Sequence, residues 1–160
     1  MKGMMYPAGI VSTQDGRITT KSDPGADTGM APADEPRKVL RILVVEDEAI
    51  TAMHIEDILR ELGHIVADTV ESGPAAVASA FRLRPDLMLI DIRLARGTDG
   101  IAAALEIRRS LDIPLVFMSA HTDAATRERA NMAEPLGYLV KPFAVNQVTA
   151  LIDYVSKEIG

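Results

Sequence analysis

The sequence predicts a doubly wound α/β fold, with a five-stranded parallel sheet covered by helices on both faces in a three-layer sandwich. Three observations carry that reading. From Val39 onward, short apolar runs alternate with helix-period segments, and the pair recurs five times. Several of the runs are continuously apolar, as strands buried on both faces must be. Pro85, Pro114 and Pro135 each stand just before a run, where a residue without an N–H stops the preceding helix. Parallel strands need crossovers, and the intervening helices supply them with a right-handed turn.

The strand candidates are 41–45 (RILVV), 65–69 (IVADT), 87–90 (LMLI), 115–118 (LVFM) and 137–140 (GYLV). The helix candidates are 49–62, 74–83, 100–111, 123–133 and 145–159. In the first helix Ile50, Met53, Ile55, Ile58, Leu59 and Leu62 fall largely on one side, and Gly63 offers the left-handed residue that ends it. Residues 1–37 differ in texture. They hold five Gly and four Pro, and their large branched aliphatics are Ile10, Val11 and Ile18, too little apolar area to offset the entropy of ordering. We read them as a flexible arm with an ordered piece around 6–11, and residues 38–160 as the single domain that a 160-residue chain accommodates.

Composition narrows the function classes. Lys and Arg number 17 against 23 Asp and Glu, for a net charge of −6, which argues against a nucleic-acid backbone or an anionic membrane as partner. The chain has no Cys, so disulfides, thiol catalysis and thiolate metal sites are excluded. Any bound metal must be held by carboxylate, carbonyl or imidazole, a donor set that suits Mg²⁺ or Ca²⁺. The first residues make no signal h-region and no apolar run is long enough for a membrane span, so the expected compartment is the cytoplasm.

In a doubly wound sheet the ligand site lies beyond the carboxyl ends of the strands, near a switch in strand order. The residues just after each predicted strand are therefore informative. Glu46 and Asp47 come after the first, Asp91 after the third, Ser119 after the fourth and Lys141 after the fifth. Three clustered carboxylates repel unless a cation or a proton compensates, and Mg²⁺ resolves the conflict while leaving room for waters and an incoming phosphate. Asp91 is then placed as a nucleophile toward phosphorus. The metal and Lys141 neutralise the equatorial oxygens, Ser119 donates to one of them, and the product is an aspartyl phosphate.

The set Glu46-Asp47, Asp91, Ser119 and Lys141-Pro142 resembles the receiver domains of two-component response regulators, over about residues 38 to 160. The resemblance implies a flavodoxin-like (βα)5 fold. It makes Asp91 the phosphoacceptor, Asp47 a direct Mg²⁺ ligand, Glu46 a second acid that helps hold the ion, and the Arg93 main-chain carbonyl a further ligand. It also makes Ser119 the hydroxyl switch, Lys141 the ammonium that pairs with the phosphoryl group, Tyr138 the aromatic switch whose ring turns inward, and Lys141-Pro142 a cis peptide. The first acid is Glu where Asp is commoner, and the hydroxyl is Ser where Thr is commoner; both keep the chemistry. The partners implied are a histidine kinase or histidine phosphotransfer protein upstream and a protein docked on the fourth helix, fifth strand and fifth helix downstream. A homodimer is compatible with the pattern. One helix comes after Lys141-Pro142 before Gly160, so output is expected to pass through another protein unless the chain is a piece of a longer one.

Other residues have plainer readings. Glu48 is an electrostatic cap of the first helix rather than a ligand. His54 and His64 are surface or satisfied histidines, and so is His121, although it lies beside the site. The pairs Arg82/Arg84, Arg108/Arg109 and Arg127/Arg129 mark solvated faces, Phe117 and Phe143 are core, and Tyr154 is exposed on the last helix. Rival functions fit less well. A phosphatase of the haloacid dehalogenase type needs an acid two places after its nucleophile, where this chain has Arg93. A flavin carrier needs hydroxyls and glycines around its phosphate, and Glu46-Asp47-Glu48 would repel it. An adaptor that signals by contact, with phosphorylation minor, remains the alternative within regulation; beryllofluoride, which needs Asp91 and Mg²⁺, discriminates it from a switch.

Overall fold

The computed structural model describes residues 10–12, 18–20, 38–120 and 123–159. Two short strands, β1 (Ile10–Ser12) and β2 (Ile18–Thr20), pair antiparallel. The main sheet is built from β3 (Arg41–Val45), β4 (Ile65–Val70), β5 (Leu87–Asp91), β6 (Leu115–Ser119) and β7 (Gly137–Val140). All its pairings are parallel, in the order β4-β3-β5-β6-β7. The helices are α1 (Ala49–Glu61), α2 (Gly73–Leu83), α3 (Gly100–Arg108), α4 (Ala124–Asn131) and α5 (Val145–Ile159).

Because successive strand residues face opposite sides, the sheet feeds two cores. Leu43, Val45, Met88, Ile90, Leu115 and Phe117 pack with residues of α2, α3 and α4. Ile42, Val44, Leu87, Leu89, Val116 and Met118 pack with α1 and α5. This is the three-layer arrangement expected, and local chemistry sets its boundaries. Ser72, Asp99 and Asp123 cap α2, α3 and α4 by accepting from backbone N–H groups of the first turn. Gly63 adopts φ +89 after α1.

The structure changes several details. Strands β4, β5 and β6 each run one residue further than expected: Val70 pairs with Val45, and the ladder continues through polar residues in the other two, where Asp91 pairs with Met118 and Ser119 with Val140. Helix α3 ends at Arg108 and α4 spans only eight residues, each closing in a tightened turn. In α1 the core stripe is Ala52, Ile55, Ile58 and Leu59, whereas Ile50 (85% exposed) and Met53 (60%) face outward. Tyr154, expected on the surface, is buried at 7% exposure; it lies three residues after Leu151 and shares the α5 face that packs on the sheet. Of the expected arm, β1 and β2 are described, and β2 lies against β7 and α5. The rest of 1–37, with most of the ordered piece expected around 6–11, lies outside the described residues, and so does His121.

Candidate functional site

The first strand of the repeat, β3, sits between β4 and β5, so the crossovers leave it in opposite directions and open a crevice at the carboxyl ends of β3 and β5. Glu46 and Asp47 emerge from β3 there, with the Glu46 N–H still donating to Val70 O at 2.9 Å. Asp91 ends β5, and the Ile92 N–H donates to Met118 O at 2.9 Å, which ties the end of β5 to β6. Lys141 comes directly after β7, its N–H donating to Ser119 O at 2.8 Å, and the Lys141-Pro142 peptide is cis.

Four of these side chains meet. The Lys141 ammonium donates to Glu46 Oε1 at 2.5 Å and to Asp91 Oδ2 at 2.7 Å. One carboxylate oxygen each from Glu46, Asp47 and Asp91 lies within 4.8 Å of the others. Glu46 and Asp91 are buried, and half-buried Asp47 stands at the opening. The other Asp91 oxygen, Oδ1, accepts the Arg93 N–H at 3.0 Å, which holds the carboxylate in a fixed orientation.

The electrostatics are those of a cation-seeking pocket. Burial, reinforced by the neighbouring Asp91, pushes the Glu46 carboxyl up to about 8, and the Lys141 ammonium offsets this only in part. For Lys141 burial opposes the charge, but its bonds to Asp91 and Glu46 outweigh that and hold it above the ordinary lysine value. Glu46 Oε2 is buried without a hydrogen-bond partner among the described residues. A buried carboxylate oxygen without a donor is costly, and a divalent cation is the partner that removes the cost. Three hard oxygen donors around one point therefore fit an ion such as Mg²⁺.

The remaining candidates lie around this centre. Ser119 is buried at the end of β6, next to the Lys141 backbone. Tyr138 is not in the carboxylate cluster. Its ring is buried on the α2–α4 face of the sheet, 6.1 Å from Phe117 and 4.9 Å from the Arg127 guanidinium, and its hydroxyl donates to Asn131 Oδ1. The Arg93 side chain is exposed. Glu48 occupies the N-cap position of α1 outside the cluster, accepting from Thr51 Oγ1 at 3.4 Å. His64 is buried with Nδ1 accepting the Leu40 N–H, while exposed His54 stacks on Phe143 with ring centres 6.2 Å apart.

Two features escaped the sequence reading. Arg127 and Arg129 do not simply mark a solvated face, since one lies over the Tyr138 ring and the other pairs with Asp99 at 2.5 Å. Nothing local to Asp99 in the sequence signals a partner thirty residues away. Gly100 is the second. A Cβ on it would lie 2.0 Å from Asp91 O, so the start of α3 presses directly on the backbone of the candidate nucleophile.

Known proteins resemble this chain in sequence and in fold. Residues 42–153 match the family model of the response regulator receiver domain. The chain is similar to the transcriptional regulatory protein PdtaR of Mycobacterium tuberculosis, 37% identical over 113 residues, covering 71% of this chain and 55% of that protein. It is also similar to the phyllosphere-induced regulator PhyR of Methylorubrum extorquens, 35% identical over 113 residues, covering 69% of this chain and 41% of that protein. The chain thus spans about half the length of these curated relatives. Among solved structures, the signal receiver domain of a modulated diguanylate cyclase from Desulfovibrio desulfuricans superposes with a TM-score of 0.70 at 31% identity, covering 76% of this chain and 97% of that one.

Proposed function

The chain belongs to the receiver-domain family of response regulators, and on that premise we propose that it is a phosphorylation switch of a two-component system, with Asp91 as phosphoacceptor. The observation that carries this reading is the Lys141 ammonium held between Glu46 and Asp91 beside Asp47 at the strand ends. Glu46, Asp47, Asp91 and the Arg93 main-chain carbonyl would hold Mg²⁺. The ion supplies positive charge against the phosphoryl oxygens. Asp91 Oδ2, the oxygen that Lys141 contacts, attacks the phosphorus in line as the bond to the donor imidazole breaks. Lys141 then exchanges its contact with the Asp91 carboxylate for one with a phosphoryl oxygen, and the Ser119 hydroxyl donates to another. The product stays on the chain, so the protein acts as a switch rather than a turnover enzyme. Arg93, two places after Asp91, offers no acid for the leaving group of a phosphatase.

The phosphodonor is a histidine kinase or a histidine phosphotransfer protein. Supporting a protein donor, Ile50 and Met53 open α1 just after the two acids, and Val145, 50% exposed, opens α5 just after Lys141 and Pro142. The His54–Phe143 stack joins these two starts, so apolar surface borders the mouth of the site. We assign output to the face formed by α4, β7 and α5, residues 38–160 to the switch domain, and the cytoplasm as its compartment. Among the described residues no helix is long and apolar enough to cross a membrane. The decisive experiment is labelling with acetyl phosphate and Mg²⁺. Wild type should form one acid-stable, base-labile phosphoryl group and Asp91→Asn none; labelling of the variant at the normal rate would remove Asp91 from its role.

A further inference from the structure

Helix α4 is held to the body in an unusual way. It spans eight residues, and Ala130 is the one residue of the helix that is buried. Its other holds are polar and run to two different places. Arg127 lies over the Tyr138 ring and Asn131 accepts the Tyr138 hydroxyl, which ties α4 to β7 three residues before Lys141. Arg129 Nη2 donates to Asp99 Oδ2 at 2.5 Å, which ties α4 to the loop beyond Asp91.

Asp99 is a rigid point of attachment. Its Oδ1 accepts the Ile101 N–H at 2.8 Å and so caps α3. Its backbone forms an antiparallel bridge with Arg93, whose own N–H holds Asp91 Oδ1. The next residue, Gly100, donates its N–H to Ile92 O at 2.9 Å and abuts Asp91 O. The Asp91 carboxylate is therefore joined to Asp99 through Arg93, and the Asp91 backbone is backed by Gly100 beside it, so a reorientation of the carboxylate toward a phosphoryl group loads the Arg93 link. Burial raises the Asp99 carboxyl, but its bonds to Arg129 and to backbone N–H groups overcome this and hold it below the ordinary value, so it is ionised when it meets Arg129.

As a stabilising contact this pair is worth little, since the Arg129 and Asp99 side chains are 53% and 34% exposed. Its geometry suits transmission better. We propose that the Arg129–Asp99 pair is a strut that carries the phosphorylation state of Asp91 to α4, with Arg129 acting as a positioning residue for the phosphoacceptor loop. The proposal rests on the receiver reading of Asp91. It gives α4 two inputs, one from Asp91 through Asp99 and one from the Lys141 side through Tyr138. By linkage the coupling is reciprocal, so whatever loosens Arg129 also changes how well the site holds a phosphoryl mimic.

The test uses the full chain with Mg²⁺ and beryllofluoride as the mimic, in wild type, Arg129→Gln, Asp99→Asn, the double variant and Arg129→Lys. Amide exchange over residues 124–131 and the apparent affinity for beryllofluoride are read together. Wild type should change its exchange over α4 when beryllofluoride binds. Arg129→Gln should lose that change and bind beryllofluoride about fivefold more weakly or worse, while Asp91 still accepts phosphate from acetyl phosphate. Asp99→Asn keeps an N-cap and should behave like Arg129→Gln; the double variant should be no worse than either single, and Arg129→Lys should restore part of the response. A merely structural pair would loosen α4 equally with and without the mimic and leave its affinity unchanged, and that result overturns the strut. A wild type that neither labels nor responds would instead overturn the receiver reading on which the strut stands.

Discussion

A carboxyl group with one oxygen on an ammonium and the other buried without a donor is poised between two protonation states, and among the described residues Glu46 is in that position. Its value of about 8 in the folded chain lies above the ordinary 4.5, with burial as the main cause. Folding therefore favours the proton, and this contribution to stability is full below about pH 4.5 and is lost as pH rises through about 8. A bound divalent ion needs the ionised carboxylate and expels the proton. The Mg²⁺ affinity should therefore rise with pH by up to about tenfold per unit and level off above about 8. Calorimetry in buffers of different ionisation enthalpy checks it, since one proton should be released per ion near neutral pH; affinity flat across that range would show Glu46 already ionised. The residue type and place of Glu46 were readable in the sequence, but its electrostatics were not, because they depend on Asp91 and on a lysine 95 residues away.

Helix α3 begins with no space between itself and β5. Asp99 caps it, and Gly100 sits where any Cβ would meet Asp91 O at 2.0 Å, too close for any side chain. Gly100→Ala should therefore force a backbone shift and cost about 1–3 kcal/mol, seen as a lower midpoint in thermal unfolding. Since the atom displaced belongs to Asp91, phosphoryl labelling should fall as well; a variant with wild-type stability and labelling would mean the helix start can retreat freely. Element interiors were the legible part of this chain. The stretches Arg41–Val45, Gly137–Val140 and Val145–Ile159 have the boundaries that hydropathy and proline placement indicate. Ends such as Asp91 and Ser119 were read as the residues just after strands, because their pairing with Met118 and Val140 is invisible in hydropathy.

At the scale of the whole molecule, two cores share one sheet, and every strand of the main sheet contributes to at least one of them. Among the residues whose side chains are described, both cores are built from positions 40–159. Deleting residues 1–37 should leave a cooperative fold and move the thermal midpoint by no more than about 4 °C, the shift that about 1 kcal/mol produces in a domain of this size. A much larger loss would show that β2, which lies against β7 and α5, packs as part of the domain. The site is likewise a property of the whole sheet, since it forms where crossovers diverge from β3 and gathers residues from the ends of β3, β5 and β7.

The alternation of apolar runs with helical segments, and the polar residue at the end of each run, are written in neighbouring positions. They are local, and so the doubly wound sheet and the chemical types at its carboxyl edge could be derived from the chain alone. Which side of α1 faces the sheet, why Ile50 is exposed and Tyr154 buried, and which cation meets which carboxylate all depend on surfaces brought together from distant segments. Those outcomes required the packed fold. Burial and pairing are set by the summed contacts of several elements at once, and no window of sequence contains that sum.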